Sequence, residues 1–548
     1  MTATTFPSFD THQVSNQPSV LEGFNAFDTD PMLQAAVRHY GADWARPALS
    51  AYGAVAGSEL LEQGRIANEN PPRLKAFDRF GHRIDEVEFH PAYHRCMTLA
   101  MKHGLHAFAW WHADQPSAHV ARSAITYQHA QFEAGTGCPL TMTYAAIPAL
   151  RHSPELAKVW VPRLTSKVYD PRMLPASQKH GCTIGMGMTE KQGGSDVRSN
   201  TTTATAQADG HYTLIGHKWF FSAPMCDAWL VLAQAPAGIT CFLLPKMLED
   251  GTRNRIHIQR LKDKLGDRSN ASSEVEFHNA VGLRVGEEGR GVRTILEMVA
   301  LTRLDCMVAS AGLMRQATVQ AIHHCRQRSA FGKPLITQPL MQNVLHDLVL
   351  ENDGHLALAM RVAQAVDQGP NDPAQAAFAR IATAIGKYWI CRRAPSVVNE
   401  AQECLGGAGY VEETLLPRLY RQAPLNSIWE GSGNVQCLDV LRALSREPDT
   451  REALFGELLA MQGADPDLDR ELAALPRLFD DVATLEVRSR QIVERVALAL
   501  EAACLLRMNH PNATAFIRSR IAREHGLALG TLPAEWVDVG AVEASFLG

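Results

Sequence analysis

The chain has 548 residues, 46% of them hydrophobic and 20% charged, which excludes wholesale disorder and, at roughly 100–200 residues per domain, suggests three or four domains. Its 53 basic and 58 acidic residues leave a formal net charge of −5, excluding a generally basic nucleic-acid binder while leaving room for a local basic patch. No run of roughly 18 apolar residues occurs, so no membrane-spanning helix is expected. The polar start Met1-Thr-Ala-Thr-Thr-Phe-Pro7 lacks the charged-then-apolar order of a signal peptide. Eleven cysteines are scattered without a Cys-x-x-Cys pair, as expected of thiols in a reducing, cytoplasmic setting with no metal site.

Residues 1–30 are polar and expected to form an extended arm. From 31 to 180 apolar residues recur every three or four positions, as in Pro31 to Val37, Ala51 to Ile66, Ala92 to Trp111, Ser117 to Glu133 and Thr141 to Leu150, predicting helices with Pro139 and Pro148 as breakers. Near Gly181 the texture changes to short β-branched or aromatic runs separated by turn residues, predicting an antiparallel β domain. Helical periodicity returns at Val292 and lasts to about Leu444, with breaks at 332–339, 369–372 and 406–409, so four long helices fit a bundle. The expected α+β layout is a helical domain (1–180), a β domain (181–288), a helical bundle (289–445) and a further helical extension (446–548).

Four segments carry chemistry. Gly187-Met-Thr-Glu-Lys-Gln-Gly-Gly-Ser-Asp196 combines two glycines that permit close backbone approach with the hydroxyls of Thr189 and Ser195, suiting it to a polar ring edge or a phosphate; taken alone, such a loop is more often a polar turn. It is no dinucleotide fingerprint, because Glu190 stands where the third glycine belongs. Lys218-Trp-Phe-Phe-Ser222 could pack on a flat cofactor or be ordinary core. Arg326-Gln-Arg-Ser-Ala-Phe-Gly-Lys-Pro-Leu335 ends a helix and leaves Arg328 free for a phosphate, or is a solvated helix end. Cys404-Leu-Gly-Gly-Ala-Gly-Tyr410 and Ile428-Trp-Glu-Gly-Ser-Gly-Asn434 complete the set. Glu430 stands there between a tryptophan and a Gly-Ser-Gly turn, where desolvation would raise a carboxyl pKa and suit it to proton abstraction; an isolated Glu before a turn is otherwise a solvated cap.

In their order and spacing, together with Lys264-Leu-Gly-x-Arg-Ser269 and Gly286-Glu-Glu-Gly-x-Gly291, these segments resemble the acyl-CoA dehydrogenase family, strongly over 180–445 and more loosely before it. The longer strings Met186-Gly-Met-Thr-Glu-Lys-Gln-Gly-Gly-Ser-Asp196, Gly216-His-Lys-Trp-Phe-Phe-Ser222, Leu261-Lys-Asp-Lys-Leu-Gly266 and Asn426-Ser-Ile-Trp-Glu-Gly-Ser-Gly-Asn434, and the tail beyond 445, resemble the branch of that family belonging to the bacterial adaptive response to alkylation damage. The resemblance implies an N-terminal helical domain, a central β-barrel and a C-terminal four-helix bundle in a homotetramer. It places FAD between barrel and bundle, with the adenine end reaching a neighbouring subunit. It assigns Met188, Thr189, Gly194 and Ser195 to the flavin and pyrophosphate, and Phe220 and Ser222 to the isoalloxazine. Arg328, Phe331, Gln338, Gly406 and Gly407 would reach the adenosine diphosphate part, and Ser432 and Asn434 would close the site. Glu430 matches the catalytic base that takes the α-proton of an acyl-CoA thioester. A second base position of some members falls on Thr302, before Arg303, and is therefore absent here. Trp429 and the Phe220-Phe221 pair are bulkier than usual and are expected to narrow the acyl tunnel.

The tail from Arg446 holds eleven Arg, no Lys and seventeen acidic residues, a net of −6, so as a whole it is not a nucleic-acid-binding composition. Between 488 and 525, however, seven Arg face three Glu. Val487, Ile492, Val496, Leu500 and Ala503 form an apolar stripe that would leave several Arg outward. With Arg442, the candidates for contact with double-stranded DNA are Arg518, Arg520 and Arg523; a solvated helix face with internal salt bridges is the alternative. Two functions follow. One is an FAD flavoprotein of the alkylation response that binds and shields duplex DNA and has weak, isovaleryl-CoA-like dehydrogenase activity. The other is a metabolic short- or branched-chain acyl-CoA dehydrogenase passing electrons to an electron-transfer flavoprotein.

Overall fold

The computed structural model describes residues 11–546. Of the expected arm, 1–10 lie outside the described residues. Residues 11–30 lack regular structure and run along the end of a bundle helix, where Ser19 N donates to Gln327 Oε1 at 2.7 Å.

Helices Pro31–His39, Arg46–Val55, Leu61–Glu69, Pro91–Lys102, Ala118–Ala130, Gly137–Arg151 and Pro154–Leu164 build the N-terminal part. Pro139 and Pro148 break nothing: both lie inside Gly137–Arg151. Pro139 sits in the first turn, where its N–H has no helical partner to lose. Pro148 frees the Tyr144 carbonyl, and Trp110 Nε1 takes that acceptor over at 3.1 Å. The helical expectation also missed a hairpin, Arg73–Phe77 with Arg83–Glu88, whose turn is closed by Asp78 Oδ1 accepting from Phe80 N and His82 N at 2.8 and 2.9 Å.

Seven strands between Ile184 and Val285 form the β domain. Tyr212–Ser222 pairs with Ser272–Val285, which pairs with Gly238–Pro245, which pairs with Ala228–Ala235; Thr203–Ala206 joins that last strand back to the first and closes a barrel. The sheet is mainly antiparallel, but Ile184–Gly187 and Thr203–Ala206 pair parallel to Ala228–Ala235. Phe221, Trp229 and Phe277 fill the barrel.

The bundle comprises Gly291–Gln327, Pro339–Gln368, Pro373–Cys404 and Gly433–Arg446. The tail is not an independent appendage: its long helix, Leu485–Arg507, packs on the second, third and fourth bundle helices, and Val539–Ser545 returns to the second. Ile492, Val496, Leu500 and Ala503 are buried there, but Val487 is exposed, because the stripe reaches the bundle only after the helix's first turns.

Candidate functional site

Glu430 sits in the irregular turn before Gly433–Arg446, with a left-handed φ of 58° followed by Gly431 at 96°. A left-handed non-glycine residue is strained unless its surroundings hold it. Three side chains do. Lys387 Nζ donates to the Trp429 and Gly431 carbonyls at 2.7 and 2.5 Å. Arg303 Nε donates to the Glu430 carbonyl at 3.0 Å, and Gln436 Nε2 donates to the Glu430 and Gly431 carbonyls at 3.1 and 3.0 Å. A Cβ on Gly431 would stand 2.5 Å from that Gln436 nitrogen, so the turn needs glycine there.

Both nearby cations therefore hold the backbone and leave the carboxyl without a salt bridge. Burial pushes the Glu430 pKa up, against the opposing pull of a hydrogen bond from Thr302 and the more distant charges of Arg303 and Lys387. Thr302 Oγ1 donates to Oε2 at 2.8 Å, so the residue at the alternative base position serves the base itself. Oε1 makes no hydrogen bond to a described residue. The carboxyl faces a cavity lined also by Ser222, Trp429, Thr302 and Met142. Trp429 lines it, its Nε1 fixed to Asn426 Oδ1 at 2.8 Å. Phe221 does not: it is fully buried in the barrel and points away.

The flavin-side segments meet in one place. Thr189 and Phe220 form a bridge between strands, with Trp219 N donating to the Thr189 carbonyl at 2.8 Å. Met188 is half-buried and its carbonyl accepts from Asn200 Nδ2 at 2.9 Å; Ser195 is exposed. A Cβ on Gly194 would fall 2.4 Å from Thr189 Oγ1, so the loop folds back only with glycine. What pins it was not anticipated: Glu190 and Lys218 form an ion pair of 2.7 Å with both side chains fully buried. Burial works against the Glu190 charge, but Lys218 and the hydrogen bonds from Thr201 and Thr202 outweigh it and hold the carboxyl down to about 2. Phe220 is half-exposed beside Ser222, with Lys262 Nζ over its ring 4.4 Å from the centroid. An aromatic side chain beside hydroxyls and a glycine-bearing loop is a set of groups that fits a flavin.

The remaining expected contacts stand elsewhere. Arg328, Phe331 and Gln338 lie past Gln327, 25 residues beyond Thr302 on one helix and roughly 38 Å away by helical rise. Gly406 and Gly407 share that end, both exposed with open space where a Cβ would stand, and Cys325 Sγ donates to the Cys404 carbonyl just before them. Phe331 is 99% exposed at a hairpin tip with a left-handed φ of 54°, and Gln338 Nε2 donates to Ala330 O at 2.8 Å. Arg328 is not free, because its Nη1 donates to Asn16 O at 2.5 Å. By that rise the group stands far from Thr302 and the carboxyl it serves in the same chain. Ser432 and Asn434 border the Glu430 turn, and Arg490 of the tail donates to Asn434 Oδ1 at 2.9 Å.

The DNA candidates need correction. Arg520 is buried and paired with Asp347 and Glu351 of the second bundle helix, so its guanidinium is not presented at the surface. Arg518 pairs with Asp465 and Asp467. Arg442 pairs with Asp439 and Glu447, though its side chain is half-exposed. Only Arg523 of the four is exposed without an ion pair among the described residues. Elsewhere in 488–525, Arg495 pairs with Glu471 and Arg507 with Glu457, while Arg488 caps carbonyls. The internal-salt-bridge alternative describes this face.

Residues 16–171 match the adaptive response protein AidB N-terminal domain, 185–280 the acyl-CoA dehydrogenase middle domain, and 289–445 the acyl-CoA dehydrogenase C-terminal domain. The chain is 48% identical over 490 residues to the putative acyl-CoA dehydrogenase AidB of Escherichia coli (strain K12), covering 89% of this chain and 90% of that one. It is 32% identical over 447 residues to acyl-CoA dehydrogenase family member 11 of Caenorhabditis elegans, covering 77% and 71%. The crystal structure of Caenorhabditis elegans ACDH-11 in complex with C11-CoA superposes with a TM-score of 0.86 at 27% identity, covering 99% of this chain and 98% of that one. No helix among the described residues is long and apolar enough to cross a membrane. The barrel, the bundle, the carboxyl turn and these relatives place the chain in the acyl-CoA dehydrogenase family, in its AidB-like branch, as an FAD-dependent oxidoreductase of the acyl-CoA dehydrogenase type.

Proposed function

We propose that this chain dehydrogenates an acyl-CoA thioester between its α and β carbons, with Glu430 as the base that takes the α-proton. The observation that carries the reading is the Glu430 carboxyl itself: turned into a cavity, raised in pKa by burial, and left without a salt bridge although Arg303 and Lys387 stand beside its backbone. A base with a raised pKa holds a proton more firmly once it has taken it. FAD, when bound, supplies the two-electron acceptor that side chains lack. Met188, Thr189, Gly194, Ser195, Phe220 and Ser222 hold its flavin end, with Ser432 and Asn434 bordering the site. Arg328, Phe331, Gln338, Gly406 and Gly407 act on the adenosine end from a second copy, in keeping with their distance from the Glu430 carboxyl and with the exposure of Phe331, so the working unit is an oligomer, a homotetramer by family. Trp429 favours short or branched acyl chains of the isovaleryl kind. Steady-state turnover of short and branched acyl-CoAs by the FAD-loaded protein tests this: Glu430→Gln is expected to lose at least about a thousandfold in kcat while keeping its flavin. Undiminished turnover in that variant rules the assignment out.

A role in the alkylation response, with duplex DNA as partner, is the second reading. It is supported by the match to the adaptive response protein and by the exposed Arg523 and half-exposed Arg442, repeated by symmetry in an oligomer. Retention on duplex DNA that falls with salt, and that weakens in the Arg442→Ala, Arg523→Ala double variant, is the expected result; retention indifferent to both changes removes these residues from the reading.

A further inference from the structure

The cavity in front of Glu430 is not an alkyl tunnel throughout. It runs along one face of Gly291–Gln327, past Thr302, Asp305, Cys306, Ala309 and Leu313. One helical turn beyond Thr302, the residue that hydrogen-bonds the base, it meets Arg122, whose side chain is 1% exposed. Three contacts fix this guanidinium. Nε donates to Leu105 O at 2.7 Å, Nη1 pairs with Asp305, and the plane lies 3.7 Å over the Tyr144 ring. Asp305 is held in turn by Thr141. Nη2 is buried in the cavity wall and has no hydrogen-bond partner among the described residues.

A buried cationic N–H without an acceptor is costly for a protein to keep. An acyl chain that brings an acceptor to it regains that cost on binding, whereas a plain alkyl chain leaves it unpaired. The charges around the slot decide which acceptor. Asp305 already neutralises Arg122, and Glu133, farther along the same cavity, is held ionised at about 2 because its hydrogen bonds to His129, Ser269 and Thr136 outweigh its burial. A carboxylate brought to Nη2 would lie beside Asp305, which already takes up the charge of Arg122. A neutral oxygen carries no such penalty.

We infer that the preferred substrates are acyl-CoA thioesters whose acyl chain bears a neutral oxygen, as a hydroxyl, keto or ether group, accepting a hydrogen bond from Arg122 Nη2 about one helical turn beyond the carbons facing Glu430. Arg122 is a specificity-determining residue in this account. The inference rests on the acyl-CoA reading of the cavity, and the experiment separates the two.

FAD-loaded protein is given four- to eight-carbon acyl-CoAs in matched sets: alkyl, ω-hydroxy or ω-keto, and ω-carboxy. Binding is read by calorimetry and turnover with an artificial electron acceptor. The best neutral oxygenated thioester is expected to exceed its alkyl match by roughly 10- to 100-fold in binding and in kcat/KM, with the carboxylate behind both. In Arg122→Lys, which keeps a cation facing Asp305 but lacks Nη2, the ratio of oxygenated to alkyl binding and turnover is expected to fall to about one. Alkyl or carboxylate chains bound and turned over as well as the oxygenated ones overturn the inference and leave the dehydrogenase reading standing. An oxygen preference in binding without turnover supports the site and counts against the reaction. No binding of any thioester overturns both. Should Arg122→Lys fail to fold, the ranking of the three classes by the unaltered protein decides alone.

Discussion

The turn that carries Glu430 and the helical tail behind it treat charge in opposite ways. At the turn, Arg303 and Lys387 stand beside a buried carboxyl yet donate to backbone carbonyls, so the carboxyl keeps a raised pKa. In the tail, cations meet carboxylates directly: Arg520 with Asp347 and Glu351, Arg518 with Asp467, Arg495 with Glu471, and His355 of the bundle between Glu351 and Glu501. Where a proton has to move, the cations are turned aside. Where an element has to stay docked, they are satisfied. A count of arginines along the chain registers neither arrangement.

The tail offers the larger stability effect. Arg520→Ala leaves Asp347 and Glu351 buried short of a cation and is expected to cost about 3–5 kcal/mol in denaturant unfolding. Arg523→Ala, three residues on and exposed, is expected to stay within about 0.5 kcal/mol. Equal effects would erase the distinction drawn between these two residues. At the turn, Lys387→Met removes the donor shared by the Trp429 and Gly431 carbonyls and is expected to lower kcat/KM by roughly 10- to 100-fold, chiefly through kcat, by displacing the base. An unchanged kcat would make Lys387 a packing residue only.

Two smaller effects depend on pH. Burial disfavours charge on His355, but Glu501 and Glu351 outweigh it and raise its pKa to about 9. A group raised in the folded state contributes stability that is full below the unfolded value near 6.5 and lost as pH climbs through about 9. Unfolding of the parent protein is therefore expected to grow easier across that window, and His355→Gln to flatten the profile. In the site, Thr302→Val removes a hydrogen bond that favours the ionised Glu430, so the pKa rises further and the acid limb of kcat/KM moves to higher pH. A limb that stays in place would mean that Thr302 does not reach the base in the working enzyme.

Much of the site was legible because its segments are local. Thr189, Ser195, Phe220, Ser222 and Glu430 each sit in a short string whose glycines and aromatics leave few conformations. What escaped was set by residues far apart in the chain. The partners of Arg520 lie 173 and 169 residues away, so nothing near 520 announces its burial. Arg122 sits in a helix whose residues are nearly all buried, and an arginine inside such a run was the available signal. Lys387 carried a similar mark within Pro373–Cys404. Pro148 was misread as a breaker because the indole that rescues its freed carbonyl comes from Trp110, 34 residues away from Tyr144. The hairpin at 73–88 was missed because its two strands are short and mostly half-exposed, with too little apolar alternation to announce themselves.

The central claim is that Glu430 takes a proton from a thioester while a bound flavin is reduced, and anaerobic mixing tests it most directly. Saturating short or branched acyl-CoA added to the FAD-loaded protein should bleach the oxidised flavin absorbance, and the same addition to Glu430→Gln should leave it intact. Bleaching at the same rate in both proteins, or a flavin that stays oxidised with every thioester although the thioester binds, would contradict the account.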